Sequence, residues 1–163
     1  MQKSREAIDG QQNATTKHFN GKAIYNPSGK AGEYIRWACN FYRGCSNNCS
    51  YCYLKKGVMA HNLGGTTVQL KSCFKNPEHA IEVFRSELMK NLPDLQQHGL
   101  FFSFTTDPML EETIDLTVQA VSICQNHKVP VKILTKTAWW LDNFHPSAKY
   151  MRSVAIKGTD VSI

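Results

Sequence analysis

An α/β fold is what the sequence predicts, and three observations carry it. Residues 100–106 and 129–135 are nearly continuous apolar runs, the pattern of strands buried on both faces of a parallel sheet. Helical periodicity fills the stretch between them and the stretch before the first. Strand and helix thus alternate, the mark of repeated βα units, which build either a doubly wound sheet or a curved barrel segment.

The elements follow in order. Residues 1–33 are rich in Gln, Asn, Gly, Lys and Thr and read as a basic, loosely structured lead-in, with a turn at Asn26-Pro27-Ser28-Gly29. Residues 34–163 form the core domain. Tyr34, Ile35, Trp37 and Ala38 make 33–40 the first strand, with Cys39 at its end as a packed thiol. Residues 55–75 are less regular, with a turn at Gly64-Gly65 and a short extended piece at 66–70. Asn76 is an N-cap and Pro77 suits a first helical position. Ile81, Phe84, Leu88 and Leu92 give that helix an apolar face, and Pro93 should stop it. Residues 111–127 read as a second helix with Ile114, Val118, Val121 and Cys124 on one face. Pro130 is tolerable near the start of the strand at 129–135. Residues 139–150 read as a helical connection broken at Pro146, and a weaker last strand lies around 154–156.

The chain has 163 residues, 42% hydrophobic and 20% charged, which fits one globular domain. No apolar run approaches the ~18 residues of a membrane span. Met1 is followed by Gln2, Lys3, Ser4, Arg5 and Glu6 rather than an apolar signal core. The expectation is a soluble cytoplasmic protein without a membrane partner. The net charge is +6, with nine Lys and Arg against three Asp and Glu in residues 1–57, and ten against ten in residues 58–163. A basic third attracts nucleic acid, phosphates or another anion, or is simply a solvated arm.

Four of the six cysteines fall within fourteen residues: Cys39, Cys45, Cys49 and Cys52. A disulfide framework would be spread along the chain, so the clustering argues for a metal centre. Four thiolates including Cys39 could hold a structural zinc ion. Cys45, Cys49 and Cys52 alone, at spacings of four and three positions, could hold a cubane of four irons with one iron left open. Gly44, Ser46, Asn47, Asn48 and Ser50 suit such a loop, since they tolerate unusual backbone angles and offer N–H donors to sulfur. Ligands in parallel βα folds sit beyond the carboxyl ends of strands. There the sequence places this loop, then Ser103-Phe104-Thr105-Thr106-Asp107-Pro108, then Thr135-Lys136-Thr137. A Thr-Asp-Pro run also ends strands and caps helices, and Lys136 can be a solvated lysine.

The segment Asn40-Phe41-Tyr42-Arg43-Gly44-Cys45-Ser46-Asn47-Asn48-Cys49-Ser50-Tyr51-Cys52-Tyr53 resembles the cluster loop of the radical S-adenosylmethionine (radical SAM) superfamily. It is most similar to the branch of spore photoproduct lyase-like and DNA repair photolyase-like proteins. The likeness continues through Phe101-Phe102-Ser103-Phe104-Thr105-Thr106-Asp107-Pro108 and Val131-Lys132-Ile133-Leu134-Thr135-Lys136, covering most of the chain from about Gly21. The resemblance implies a partial (βα) barrel, about four parallel strands of a (βα)6 core. It implies Cys45, Cys49 and Cys52 as ligands of a 4Fe-4S cluster whose open iron chelates S-adenosylmethionine (SAM). Reductive cleavage would then give a 5′-deoxyadenosyl radical. Tyr51 would lie beside the adenine, and Ser103, Thr106 and Asp107 would approach the methionyl ammonium. The family's Gly-Gly-Glu-like element is missing, and the Thr-Asp-Pro form resembles the photoproduct lyase-like branch. Glu111 and Glu112 are further carboxylate candidates, and Lys136 could meet the SAM carboxylate.

An external electron donor of flavodoxin or ferredoxin type is implied as partner. The substrate is unnamed, and nucleic acid is compatible with the basic third. Two alternatives stand beside this reading: a non-catalytic iron–sulfur or zinc-binding module, and an inactive truncated remnant, because six units of about 30 residues exceed this length. Trp139-Trp140 could stack on a base or simply pack. The six histidines show no ligand spacing and read as surface or structural, and Cys73 and Cys124 as small packed residues.

Overall fold

The computed structural model describes residues 18–137 and the strand Thr159–Ser162. One sheet organises it, in the order β1 (Ile24–Tyr25), β2 (Ala38–Cys39), β5 (Leu100–Phe102), β6 (Val131–Leu134), β7 (Thr159–Ser162). Strand β1 runs antiparallel to β2, and the other four are parallel to their neighbours. The protein is therefore α/β with a mostly parallel sheet, as expected. Among the described residues this sheet does not close on itself. A second, two-stranded sheet pairs β3 (Tyr42–Arg43) with β4 (Gln69–Leu70) in antiparallel fashion and flanks the cysteine loop.

The first strand is shorter than expected. Lys30–Tyr34 is a helix, α1, and only Ala38 and Cys39 pair with β5. The stretch read as a loose lead-in supplies core residues, since Ala23 and Ile24 are fully buried. The reason lies across the chain, on helix α3 (Pro77–Lys90). Its buried Glu87 accepts from the backbone N–H groups of Lys22, Ala23 and Ile24 at 2.6, 2.9 and 2.7 Å. Three donors satisfy a carboxylate that would be costly to bury alone.

Helix α3 begins as expected: the Asn76 side chain accepts from the His79 N–H at 2.7 Å, with Pro77 in the first turn. Its buried face is Ala80, Ile81, Phe84, Glu87 and Leu88. Pro93 does not end it. The helix stops at Lys90, and Pro93 sits in the first turn of a new helix, α4 (Leu92–His98), where a missing N–H costs nothing. Gly99, at φ 76°, turns the chain from α4 into β5.

Strand β5 pairs only over Leu100–Phe102, and β6 over Val131–Leu134, so both predicted runs end earlier as strands. Their remaining residues form the loops of the site below. Helix α5 (Ile114–Asn126) joins the two and buries Ile114, Val118, Val121 and Cys124, the predicted face. Helices α3 and α5 pack on each other, and Phe84 meets Phe102 with ring centroids 6.3 Å apart. Leu88, Leu100, Ile114 and Ile133 complete that core. The connection expected at 139–150 and the strand expected around 154–156 lie outside the described residues. No helix among the described residues is long and apolar enough to cross a membrane.

Candidate functional site

The cysteine loop leaves the sheet through a turn built on buried Asn40, whose side-chain amide donates to the Tyr42 carbonyl at 2.7 Å and accepts from the Tyr42 N–H at 3.2 Å. Gly44 follows at φ 73°. A Cβ there would collide with the Thr67 carbonyl oxygen, so only glycine lets the two backbones meet. The Gly44 N–H donates to Leu63 O at 3.1 Å and the Cys45 N–H to Gly65 O at 2.9 Å, which docks the loop on the segment after helix α2 (Val58–Asn62). Tight turns follow, with Asn48 at φ 46°, its N–H donating to Cys45 O at 3.3 Å, and the Cys52 N–H donating to Cys49 O at 3.2 Å.

The loop is tied to the ends of β5 and β6. The Thr106 hydroxyl donates to Gly44 O at 2.7 Å, and the Ser103 hydroxyl donates to Thr106 O at 2.8 Å. Asp107 is the hub. One carboxylate oxygen accepts from the Asn47 amide at 2.7 Å and the Lys136 N–H at 2.8 Å. The other accepts from the Thr135 hydroxyl at 2.7 Å and the Met109 N–H at 3.0 Å. One side chain thus joins the cysteine loop to two strand ends. Sequence reasoning placed Asp107 here but missed its partners Asn47 and Thr135. Their signal was position alone: one in the loop, the other just past a strand.

These ties bring the three cluster cysteines and the four residues expected to meet SAM to one cavity of about 210 Å³. Cys45, Cys49, Cys52 and Tyr51 line it from the loop, and Ser103, Thr106 and Asp107 from the end of β5. Lys136 lines it too, with its Nζ 3.8 Å from the centroid of the exposed Tyr51 ring, a cation–π contact across the mouth. The Thr105 hydroxyl, also in the wall, is buried without a hydrogen-bond partner among the described residues. A buried unpaired hydroxyl is a cost the fold carries and a polar ligand could relieve.

The six cysteines are all free thiols. Cys45, Cys49 and Cys52 are half-buried, whereas Cys39 and Cys124 are fully buried away from the cavity. Burial pushes the Cys45 thiol pKa up, and hydrogen bonds from the Asp107 and Asn47 backbone N–H groups pull it the other way. Among the described residues no group of three or more His, Cys, Asp or Glu side chains is gathered as for one metal ion. Cys45, Cys49 and Cys52 nonetheless line the same cavity, and backbone N–H groups of Asp107 and Asn47 face the Cys45 sulfur, the kind of donor that supports a ligating thiolate.

Glu111 and Glu112 are exposed and do not reach the cavity, nor does any described histidine. Trp139 and Trp140 lie outside the described residues. Comparison of the chain with models of known families, with curated proteins and with solved structures finds no match.

Proposed function

We propose that the chain is a radical SAM protein, with a 4Fe-4S cluster on Cys45, Cys49 and Cys52 and SAM in the adjoining cavity. The observation that carries this reading is convergence: Cys45, Cys49, Tyr51 and Cys52 of the loop, Ser103, Thr106 and Asp107 after β5, and Lys136 after β6, eight residues from three separate stretches of sequence, line one cavity. The open, mostly parallel sheet is compatible with part of a (βα)6 barrel, and the cavity lies where the chain leaves its strands. The bound groups would supply one-electron cleavage of the sulfonium, chemistry the protein positions but does not perform.

Each residue then has a task. The three thiols hold the cluster, and the N–H groups facing Cys45 stabilise its thiolate once it is ligated. Tyr51 offers a flat face to the adenine. Ser103 and Thr106 present polar atoms at the cavity wall. Asp107 is a positioning residue, because both its oxygens already accept hydrogen bonds that fix the loop. Lys136, whose ammonium lies over the Tyr51 ring, is placed to turn toward a ligand carboxylate.

Anaerobic reconstitution with iron and sulfide, then assay for 5′-deoxyadenosine under dithionite, tests the reading. A brown protein with about four irons per chain that forms 5′-deoxyadenosine, and a Cys49→Ala variant that does neither, is the expected result. A colourless protein retaining stoichiometric zinc sinks the cluster. A brown protein that neither binds nor cleaves SAM makes it a non-catalytic module.

A further inference from the structure

The stretch after β5 brings four polar side chains to the cavity: Ser103, Thr105, Thr106 and Asp107. Three of them are already engaged by the protein. The Ser103 hydroxyl donates to Thr106 O at 2.8 Å and accepts from the Thr105 and Thr106 N–H groups, both at 3.3 Å. That occupies its one proton and both its lone pairs. Thr106 gives its hydroxyl proton to Gly44 O and is 2% exposed. The Asp107 carboxylate receives the Asn47, Lys136, Thr135 and Met109 donors at 3.0 Å or less. None of the three can turn to a ligand without breaking a bond that shapes the loop.

Thr105 differs from its neighbours. Its hydroxyl is the one buried side-chain polar atom left without a hydrogen-bond partner among the described residues. The residue itself is partly exposed and lines the cavity. One staggered step about its Cα–Cβ bond exchanges the hydroxyl with the methyl group or the hydrogen beside it. No hydrogen bond is lost in that step, because the hydroxyl makes none. The backbone around it is fixed meanwhile. The Thr105 N–H donates to Ser103 Oγ, and the carbonyl of the preceding Phe104 accepts from the Tyr53 hydroxyl at 2.8 Å. A held backbone thus carries a hydroxyl that nothing in the described protein uses.

We infer that Thr105, and not Ser103, Thr106 or Asp107, supplies the direct side-chain hydrogen bond from this stretch to the ligand. The other three are positioning residues. The inference rests on the proposed function, with SAM as the ligand, and reassigns the contact that the resemblance gave to its neighbours. An unpaired hydroxyl costs stability until a polar atom meets it, so the bond formed on binding is not exchanged for one already made in the protein. A hydroxyl both donates and accepts, which suits it to a ligand whose polar groups are of both kinds.

The test compares the full chain with its Thr105→Val, Thr105→Ser and Thr106→Val variants. Urea midpoints are read on the unliganded proteins, and SAM affinity is read by calorimetry after anaerobic reconstitution. Thr105→Val should raise the unliganded midpoint or leave it unchanged, and should weaken SAM binding about ten-fold. Thr105→Ser keeps the hydroxyl and should restore the affinity. Thr106→Val should lower the midpoint instead, because it strands the Gly44 carbonyl. Wild-type SAM affinity in Thr105→Val overturns the inference and leaves the proposed function standing. A lowered midpoint in Thr105→Val does the same, since it would give the hydroxyl a partner inside the chain. Equal weakening in Thr105→Ser and Thr105→Val also overturns it, by assigning the effect to the methyl group. A reconstituted wild-type chain that does not bind SAM refutes the proposed function, and this inference with it.

Discussion

Asp107 does the most work of any single side chain in the site. Replacing it by Ala strands the Asn47, Thr135, Lys136 and Met109 donors together, which should cost about 2–4 kcal/mol. Asp107→Asn keeps the shape, loses charge assistance and should cost about half as much. Urea midpoints of both variants check this order, and equal midpoints for the wild type and Asp107→Ala would refute it. Thr105 predicts the opposite sign. Thr105→Val removes an orphan hydroxyl at nearly constant volume, so the unliganded protein should gain stability, by about 1 kcal/mol. SAM binding by the reconstituted variant should weaken if that hydroxyl serves the ligand. Thermal unfolding and calorimetry read the two effects separately. At this scale the sequence was most informative about thiols, because cysteine clustering is rare and its spacing is chemistry. It was mute about Thr105, since one hydroxyl among several in Ser103-Phe104-Thr105-Thr106 carries no mark of being unpaired.

Among the elements, β1 depends on a contact that only the fold supplies. Glu87→Ala leaves three backbone N–H groups without their acceptor, and a loss of about 3 kcal/mol or more is expected. Hydrogen exchange at Ala23 and Ile24 should accelerate before that of β5, and unchanged protection there would contradict the role given to Glu87. A clue did exist in the sequence: a carboxylate three residues after Phe84 and one before Leu88, inside an apolar stripe. Gly44→Ala should be among the worst single changes in the loop, through both its positive φ and the Thr67 carbonyl, and a protein still able to hold iron would refute that. Helix α3 was legible from end-cap to apolar face because it is long and its signals agree. Strand β1 was not, because two residues carry no periodicity. Pro93 was misread because a proline after one helix and a proline opening the next look the same in sequence.

The whole molecule keeps several weak acids out of water. Burial raises the thiols of Cys39 and Cys124 and the phenol of Tyr25, and pushes Tyr42 up to about 12. Each holds its proton more tightly folded than unfolded. Their contribution is therefore complete below the ordinary thiol range, about pH 8.5, and is lost as the pH climbs above it. Urea midpoints should be flat across neutrality and fall on the alkaline side, less steeply in a Cys39→Ala/Cys124→Ala variant. A fall of equal steepness would show that other groups govern it. The alternation of strand and helix was readable at this scale, and the antiparallel edge strand was not.

Asp107 also bears on how a ligand would be received. Donors from the cysteine loop, from its own turn and from the chain after β6 meet on one carboxylate. The loss of chain freedom in these stretches thus belongs to folding rather than to binding. Ligand entry should then show the small negative heat-capacity change of covered apolar surface, without the large one that accompanies a segment folding around its guest.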